Sequence, residues 1–99
     1  MNPDPASESP EWQQIKAQFP IGARVTGRVM KCYSFGILID LGGAIGLVSS
    51  LDFLDEGHMT EQQFPPVDST VEAVVIQHMD ELRKQIRLSM RPSSLRDAK

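Results

Sequence analysis

Val25-Thr-Gly-Arg-Val29, Phe35-Gly-Ile-Leu-Ile-Asp-Leu41 and Gly42-Gly-Ala-Ile-Gly-Leu-Val48 decide the fold of this chain. They read as three short β-strands joined by tight turns. In the first, about Arg24 to Lys31, Val25, Gly27 and Val29 form a small apolar face and Arg24, Thr26 and Arg28 a polar, basic one. The glycine inside it lets the strand coil sharply, as closure into a small barrel demands. The second, about Phe35 to Leu41, sends Ile37, Ile39 and Leu41 inward and Leu38 and Asp40 outward. Strict alternation would also bury Phe35, whereas a bulge at Gly36 would turn it outward, so its direction stays open. Gly42-Gly43 is a hairpin signal, with positive φ available at both positions. A third strand then covers about Ile45 to Ser49.

Downstream, Leu51 to Ser69 is a long acidic connection that should carry its own structure. Within it Thr60 and Gln63 resemble a capping box for one helical turn, stopped by Pro65-Pro66. A fourth strand runs from Thr70 to about Met79, with Val71, Ala73 and Val75 inward and Val74 and Ile76 also apolar. Asp80 to Lys84 is a polar hairpin turn. Gln85 to Met90 is the fifth strand, terminated by Pro92, and residues 92–99 follow as a C-terminal tail. Upstream, Met1 to Glu8 is Pro-rich and acidic and should be disordered. Ser9-Pro10-Glu11 is a helix start: Ser9 caps, Pro10 takes the first helical position, and Glu11 suits the positive end of the dipole. Trp12, Ile15 and Phe19 make one apolar stripe, and Pro20 ends the helix. The expected organisation is thus a tail (1–8), a helix packed across one barrel end (9–19), an all-β, five-stranded antiparallel barrel (20–91) and a tail (92–99).

At 99 residues the chain suits one domain with a modest core. No apolar run approaches the length of a membrane span, and the acidic start lacks the pattern of a signal peptide. A single cysteine, Cys32, excludes an internal disulfide and a cysteine framework for zinc. A cytoplasmic monomer is the expectation, since a closed barrel leaves little free strand edge.

The net charge of −3 argues against a strongly basic nucleic-acid binder. Its distribution argues the other way. Lys16, Arg24, Arg28 and Lys31 occur with no intervening acid, and Arg83 to Lys99 holds six basic residues against Asp97 alone. Ser50 to Glu72 holds six acids and no Lys or Arg. If the first and last strands are neighbours, their charges merge into one basic face opposite an acidic loop. A small barrel presenting an aromatic beside basic side chains suits single-stranded nucleic acid.

Catalytic chemistry is not legible. His58 and His78 lack carboxylates at metal-ligand spacing and read as surface histidines. Ser49-Ser50 and Ser93-Ser94 have no expected base nearby. Asp52, Asp55 and Glu56 lack the glycine turn and distal Glu of a calcium loop and read as a solvated acidic loop. Gly42 to Gly46 lacks the helix and Lys-Ser/Thr pair of a phosphate loop. No cofactor is expected, and the chain is read as no enzyme.

Gly22-x-x-Val25-x-Gly27-x-Val29, Phe35-Gly36-x-x-Ile39-Asp40-Leu41, Gly46-Leu47-Val48 and Ile86-x-Leu88-Ser89 together resemble the S1-type RNA-binding domain. That is the module of the ribosomal S1 protein and of polynucleotide phosphorylase. The resemblance covers about Pro20 to Met90. It extends to the stand-alone domain of small bacterial proteins, which carry a similar N-terminal helix and a loop ending in aromatic-Pro-Pro, here Phe64-Pro65-Pro66. It implies an oligonucleotide-binding (OB-fold) barrel and a set of ligand-facing positions. The aromatic before the glycine is kept as Phe35. A second aromatic is replaced by Leu38, a histidine by Ser49, and a basic residue by Gln85, beside Lys84 and Arg83. Asp80 matches an acidic position with a one-residue slip. Tyr33 offers a substitute stacking platform, and Arg28, Lys31, Lys84 and Arg87 offer phosphate contacts. The expected partner is single-stranded RNA, or single-stranded DNA, bound weakly and with sequence tolerance. The rival expectation is a protein-docking barrel whose RNA face has degenerated, with a protein partner or a larger RNA-processing or translation assembly as its setting.

Overall fold

The computed structural model describes residues 9–57 and 59–97; the expected disorder of 1–8 and the reading of His58 lie outside them. The elements are α1 (Pro10–Gln18), β1 (Arg24–Tyr33), β2 (Gly36–Asp40), β3 (Ile45–Ser49), β4 (Thr70–Asp80), β5 (Gln85–Ser89) and α2 (Pro92–Asp97). The strands close into a barrel in the order β1-β2-β3-β5-β4, in which β3 and β5 run parallel and all other neighbours antiparallel. No helix among the described residues is long and apolar enough to cross a membrane.

The alternation read from the sequence builds the interior. Val29, Ile39, Gly46 and Ile86 are successive register partners around the wall, as are Cys32, Ile37, Val48, Leu88 and Val75 in a second layer. Val29, Ile37, Val48, Val75, Ile86 and Leu88 are completely buried. Alternation alone fails at one place. Met30 is bulged out of the β1–β2 pairing, where Val29 faces Ile39 and Lys31 already faces Leu38. The extra residue keeps both Met30 and Lys31 outside, returns Cys32 to the interior and turns Tyr33 outward. Without it Lys31 would point into the core.

At one end of the barrel the Ser9 hydroxyl accepts the Trp12 N–H at 3.1 Å, and Trp12, Ile15 and Phe19 join the core. The half-buried His78 meets Trp12 edge-on at 6.2 Å and donates from Nε2 to the Phe19 carbonyl at 2.7 Å. His78 is therefore a structural link between β4 and α1, not the surface histidine expected. The acidic connection packs Phe53 on Phe64 at 4.9 Å, and the Gln63 side chain accepts from the Thr60 N–H at 3.0 Å over a single 3-10 turn.

Two further expectations are corrected. β1 and β5 do not pair: β4 separates them on one side, β2 and β3 on the other. The segment from 92, read as a tail, holds α2. Pro92 stops β5 but suits a helix start. The Ser94 hydroxyl meets that of the buried Ser89 at 2.9 Å, and the Ser93 hydroxyl donates to Asp55 at 2.5 Å. α2 thus lies against the end of β5 and the neighbouring β4, whose outward Val74 is buried.

Candidate nucleic-acid interface

The outer surface of a barrel is organised by register, because Cα partners on adjacent strands point the same way. One outward row runs Lys31–Leu38–Leu47–Arg87–Gln77 across all five strands. A second runs Arg28–Asp40–Ile45–Gln85–Asp80, two residues or roughly 7 Å away along β2, β3 and β5 and three residues away along the bulged β1 and β4. On the opposite side of the first row lies Tyr33–Gly36–Ser49. Lys31 and Arg87 thus share a face although their strands are not neighbours. Leu38 and Leu47 form an apolar strip between them.

Phe35 occupies the two-residue turn, Ser34-Phe35, between β1 and β2 rather than the first position of β2. Its direction is accordingly fixed by the turn, not by alternation. Phe35 is 56% exposed, and its ring stacks on Tyr33 with centroids 5.0 Å apart and planes within 7° of parallel. Gly36 makes this turn possible. Its φ is 154°, and a Cβ there would lie 2.2 Å from the Val48 carbonyl oxygen. The Phe35 carbonyl accepts the Ser50 N–H at 2.7 Å, which ties the turn to the start of the acidic connection. Ser49, opposite Gly36, turns its hydroxyl to the Leu51 N–H at 3.3 Å and caps the 3-10 turn Ser50–Asp52.

The cations differ in their commitments. Lys31 and Arg28 are exposed and have no ion-pair partner among the described residues. The Asp40 carboxylate, opposite Arg28, accepts the Gly42 N–H at 2.8 Å and serves the β2–β3 turn. Lys84 reaches Glu11 of α1 at 3.0 Å. Asp80 accepts the Leu82 N–H at 3.0 Å and pairs with Arg83 at 3.7 Å, so it organises the β4–β5 hairpin. Asp80, Lys84 and Gln85 therefore sit apart from the aromatic pair, at the barrel end closed by α1.

Arg87 donates from Nε and Nη2 to Asp52 Oδ2 at 3.0 and 2.9 Å. Asp52 is 4% exposed, so the solvated acidic loop expected for 52–56 holds at Asp55 and Glu56 but not here. Arg91 lies 3.6 Å from the other carboxylate oxygen, Oδ1, and donates to the Leu51 carbonyl. Two guanidinium groups around one carboxylate leave a net positive charge at this edge of the face. Asp55, further along, is held below the ordinary carboxylate range chiefly by the Ser93 hydroxyl, with Arg96 and Arg91 adding their charge.

Sequence reasoning missed Leu47 and Asp52. Leu47 was legible from its flanks, since Gly46 and Val48 face inward. Nothing local distinguishes Asp52 from its acidic neighbours; only the fold brings Arg87 to it.

The model of the S1 RNA binding domain family matches residues 18–91, the whole barrel with both aromatics and the strands that carry the row. This chain belongs to the S1 RNA binding domain family. It is accordingly a nucleic-acid-binding module. The S1 domain here is similar to GSP13 from Bacillus subtilis, at 25% identity and a TM-score of 0.66, over 76% of this chain and 58% of that one. It also resembles the intact alpha subunit of aIF2 from Pyrococcus abyssi, at 18% identity and a TM-score of 0.59, over 70% of this chain and 27% of that one. A third likeness is to a chain of the a/eIF2alpha–aDim2p–rRNA complex from Pyrococcus horikoshii, at 18% identity and a TM-score of 0.63, over 77% and 48%. The two archaeal likenesses establish the fold alone. No curated protein matches the chain in sequence. The S1 domain thus spans little more than half of GSP13 and about a quarter of the P. abyssi subunit.

Proposed function

We propose that this S1 domain is a non-catalytic module that binds single-stranded RNA weakly, through the face carrying Tyr33, Phe35, Lys31, Leu38, Leu47 and Arg87. One observation carries the reading: two parallel, exposed rings 5.0 Å apart beside a lysine with no ion-pair partner among the described residues. An exposed aromatic face stacks a base of any identity, worth roughly 1–3 kcal/mol per base. The leucines supply apolar packing where a second pair of rings would grip more tightly, so affinity is low and sequence preference slight. Phosphate contacts come from Lys31 and the outer edge of Arg87, with Arg28 one row away. Each contributes about 0.7 to the slope of log affinity against log salt on a single strand. Asp80, Lys84 and Gln85 stabilise the far end rather than touch the ligand. The family favours RNA over single-stranded DNA. A cytoplasmic monomer fits this role, and barrel closure supports the monomer.

The second reading, a protein-docking barrel, draws on the Leu38–Leu47 strip and on the net charge of −3. Fluorescence anisotropy with a labelled single-stranded RNA, on the wild type and Phe35→Ala, separates the two. Saturable binding lost in a folded Phe35→Ala protein supports the RNA face. Equal binding by both proteins, or none by the wild type, removes it.

A further inference from the structure

Asp52 is the one buried carboxylate among the described residues, and both of its oxygens face arginines. The Ser49 cap starts the 3-10 turn, which swings Asp52 beneath the end of β3. The Asp52 carbonyl then accepts the Met90 N–H at 2.8 Å, so its backbone is locked to the strand that carries Arg87. The Arg87 side chain is 38% exposed and its partner 5%. Nε and Nη2 point inward to Oδ2, which leaves the Nη1 edge of the guanidinium directed away from the carboxylate on the outward row beside Leu47.

From this geometry we infer that Asp52 is a positioning residue for RNA binding: it fixes the Arg87 guanidinium in one plane on the ligand face. The inference rests on the proposed RNA face and adds the means by which its cation is preorganised. A long side chain on a surface strand loses rotamer freedom when it grips a ligand. Two bonds to a buried carboxylate remove that freedom before the ligand arrives, and they orient the fork that pairs with phosphate oxygens. Neutralisation is the competing effect. Arg91 offsets it, because the second guanidinium supplies the charge that Asp52 cancels.

Three variants test this by RNA anisotropy at low salt, with thermal melts in parallel. Arg87→Lys keeps the charge but cannot reproduce the two-point grip. Fixation predicts that it loses as much affinity as Arg87→Gln, about fivefold. Asp52→Asn should weaken binding to a similar extent in the wild-type background and by less than about twofold in Arg87→Gln, since it acts through Arg87. A general structural role would instead weaken both backgrounds alike. Arg87→Lys binding as tightly as the wild type overturns the inference, because Arg87 would then be a point charge. That variant decides the matter even where Asp52→Asn is too destabilised to assay. Additive losses from Asp52→Asn and Arg87→Gln also overturn it. No binding by the wild type overturns this inference together with the RNA face itself; wild-type binding with Arg87→Lys unimpaired overturns this inference alone.

Discussion

The two ends of the barrel carry similar ingredients in different states. At one end Tyr33, Phe35 and Lys31 stand in the open around the β1–β2 turn. At the other, the β4–β5 hairpin bears Met79, Leu82, Arg83 and Lys84, with Leu82 almost wholly exposed. A census of basic and apolar residues would not separate the two ends. Their partners do. Arg83 pairs with Asp80 and Lys84 with Glu11, and α1 closes the barrel beside them. Lys31 has no ion-pair partner among the described residues, and the nearby rings stack on each other and stay exposed. The cations of the aromatic end keep a net positive charge, Lys31 with no ion-pair partner among the described residues and Arg87 sharing Asp52 with Arg91, whereas each hairpin cation meets its own carboxylate.

The sharpest way to break the contrast is to damage the turn. Gly36→Ala forces a Cβ against the Val48 carbonyl and strains a φ of 154°. It should destabilise the domain by more than about 2 kcal/mol, seen as a lower midpoint in urea unfolding. Phe35→Ala comes next. It should lower RNA affinity about five- to hundredfold, the range for one lost stacking ring. Because Phe35 is 56% exposed, the melting temperature should stay nearly unchanged. If the domain unfolds instead, Phe35 is holding the core and the contrast fails.

Neutralising the two lysines sharpens the comparison. Lys31→Gln should reduce the salt slope by about 0.7, read from binding isotherms across a salt series. Lys84→Gln should leave that slope alone and lower stability by less than about 1 kcal/mol, as for an exposed ion pair. Equal effects on binding would erase the distinction between the ends. The smallest effect is one of pH. The folded Asp55 carboxyl titrates below its unfolded value of 3.8. Its contribution is therefore complete above that value and lost as pH falls through the lower folded one. The Ser93 amide resonance should move in that acid window and hold still at neutral pH. Asp55→Asn should abolish the movement.

Much of the barrel was legible because its physics is local. Alternation placed Val29, Ile37 and Ile39 inside and Leu38 outside, Gly42-Gly43 marked a hairpin, and Ser9-Pro10 marked a helix start. The remainder depended on geometry that one strand does not encode. The Met30 bulge resets the parity of Lys31, Cys32 and Tyr33, yet Met30 is an ordinary residue with no turn chemistry to betray it. Phe35 escaped alternation because a two-residue turn, not a strand, sets its direction. Lys31 and Arg87 share a face through β2 and β3, which no reasoning about adjacent strands anticipates. The burial of Asp52 needs β5 in place, and α2 needs the surface of Ser89 and Asp55 on which it rests.

An amide-resolved NMR titration with short single-stranded RNA, at low and physiological salt, tests the central claim most directly. The account predicts shifts clustered at Lys31, Tyr33, Phe35, Leu38 and Arg87 that shrink as salt rises, with Asp80, Lys84 and Gln85 unmoved. Shifts centred on the β4–β5 hairpin, or none at low salt, would contradict it.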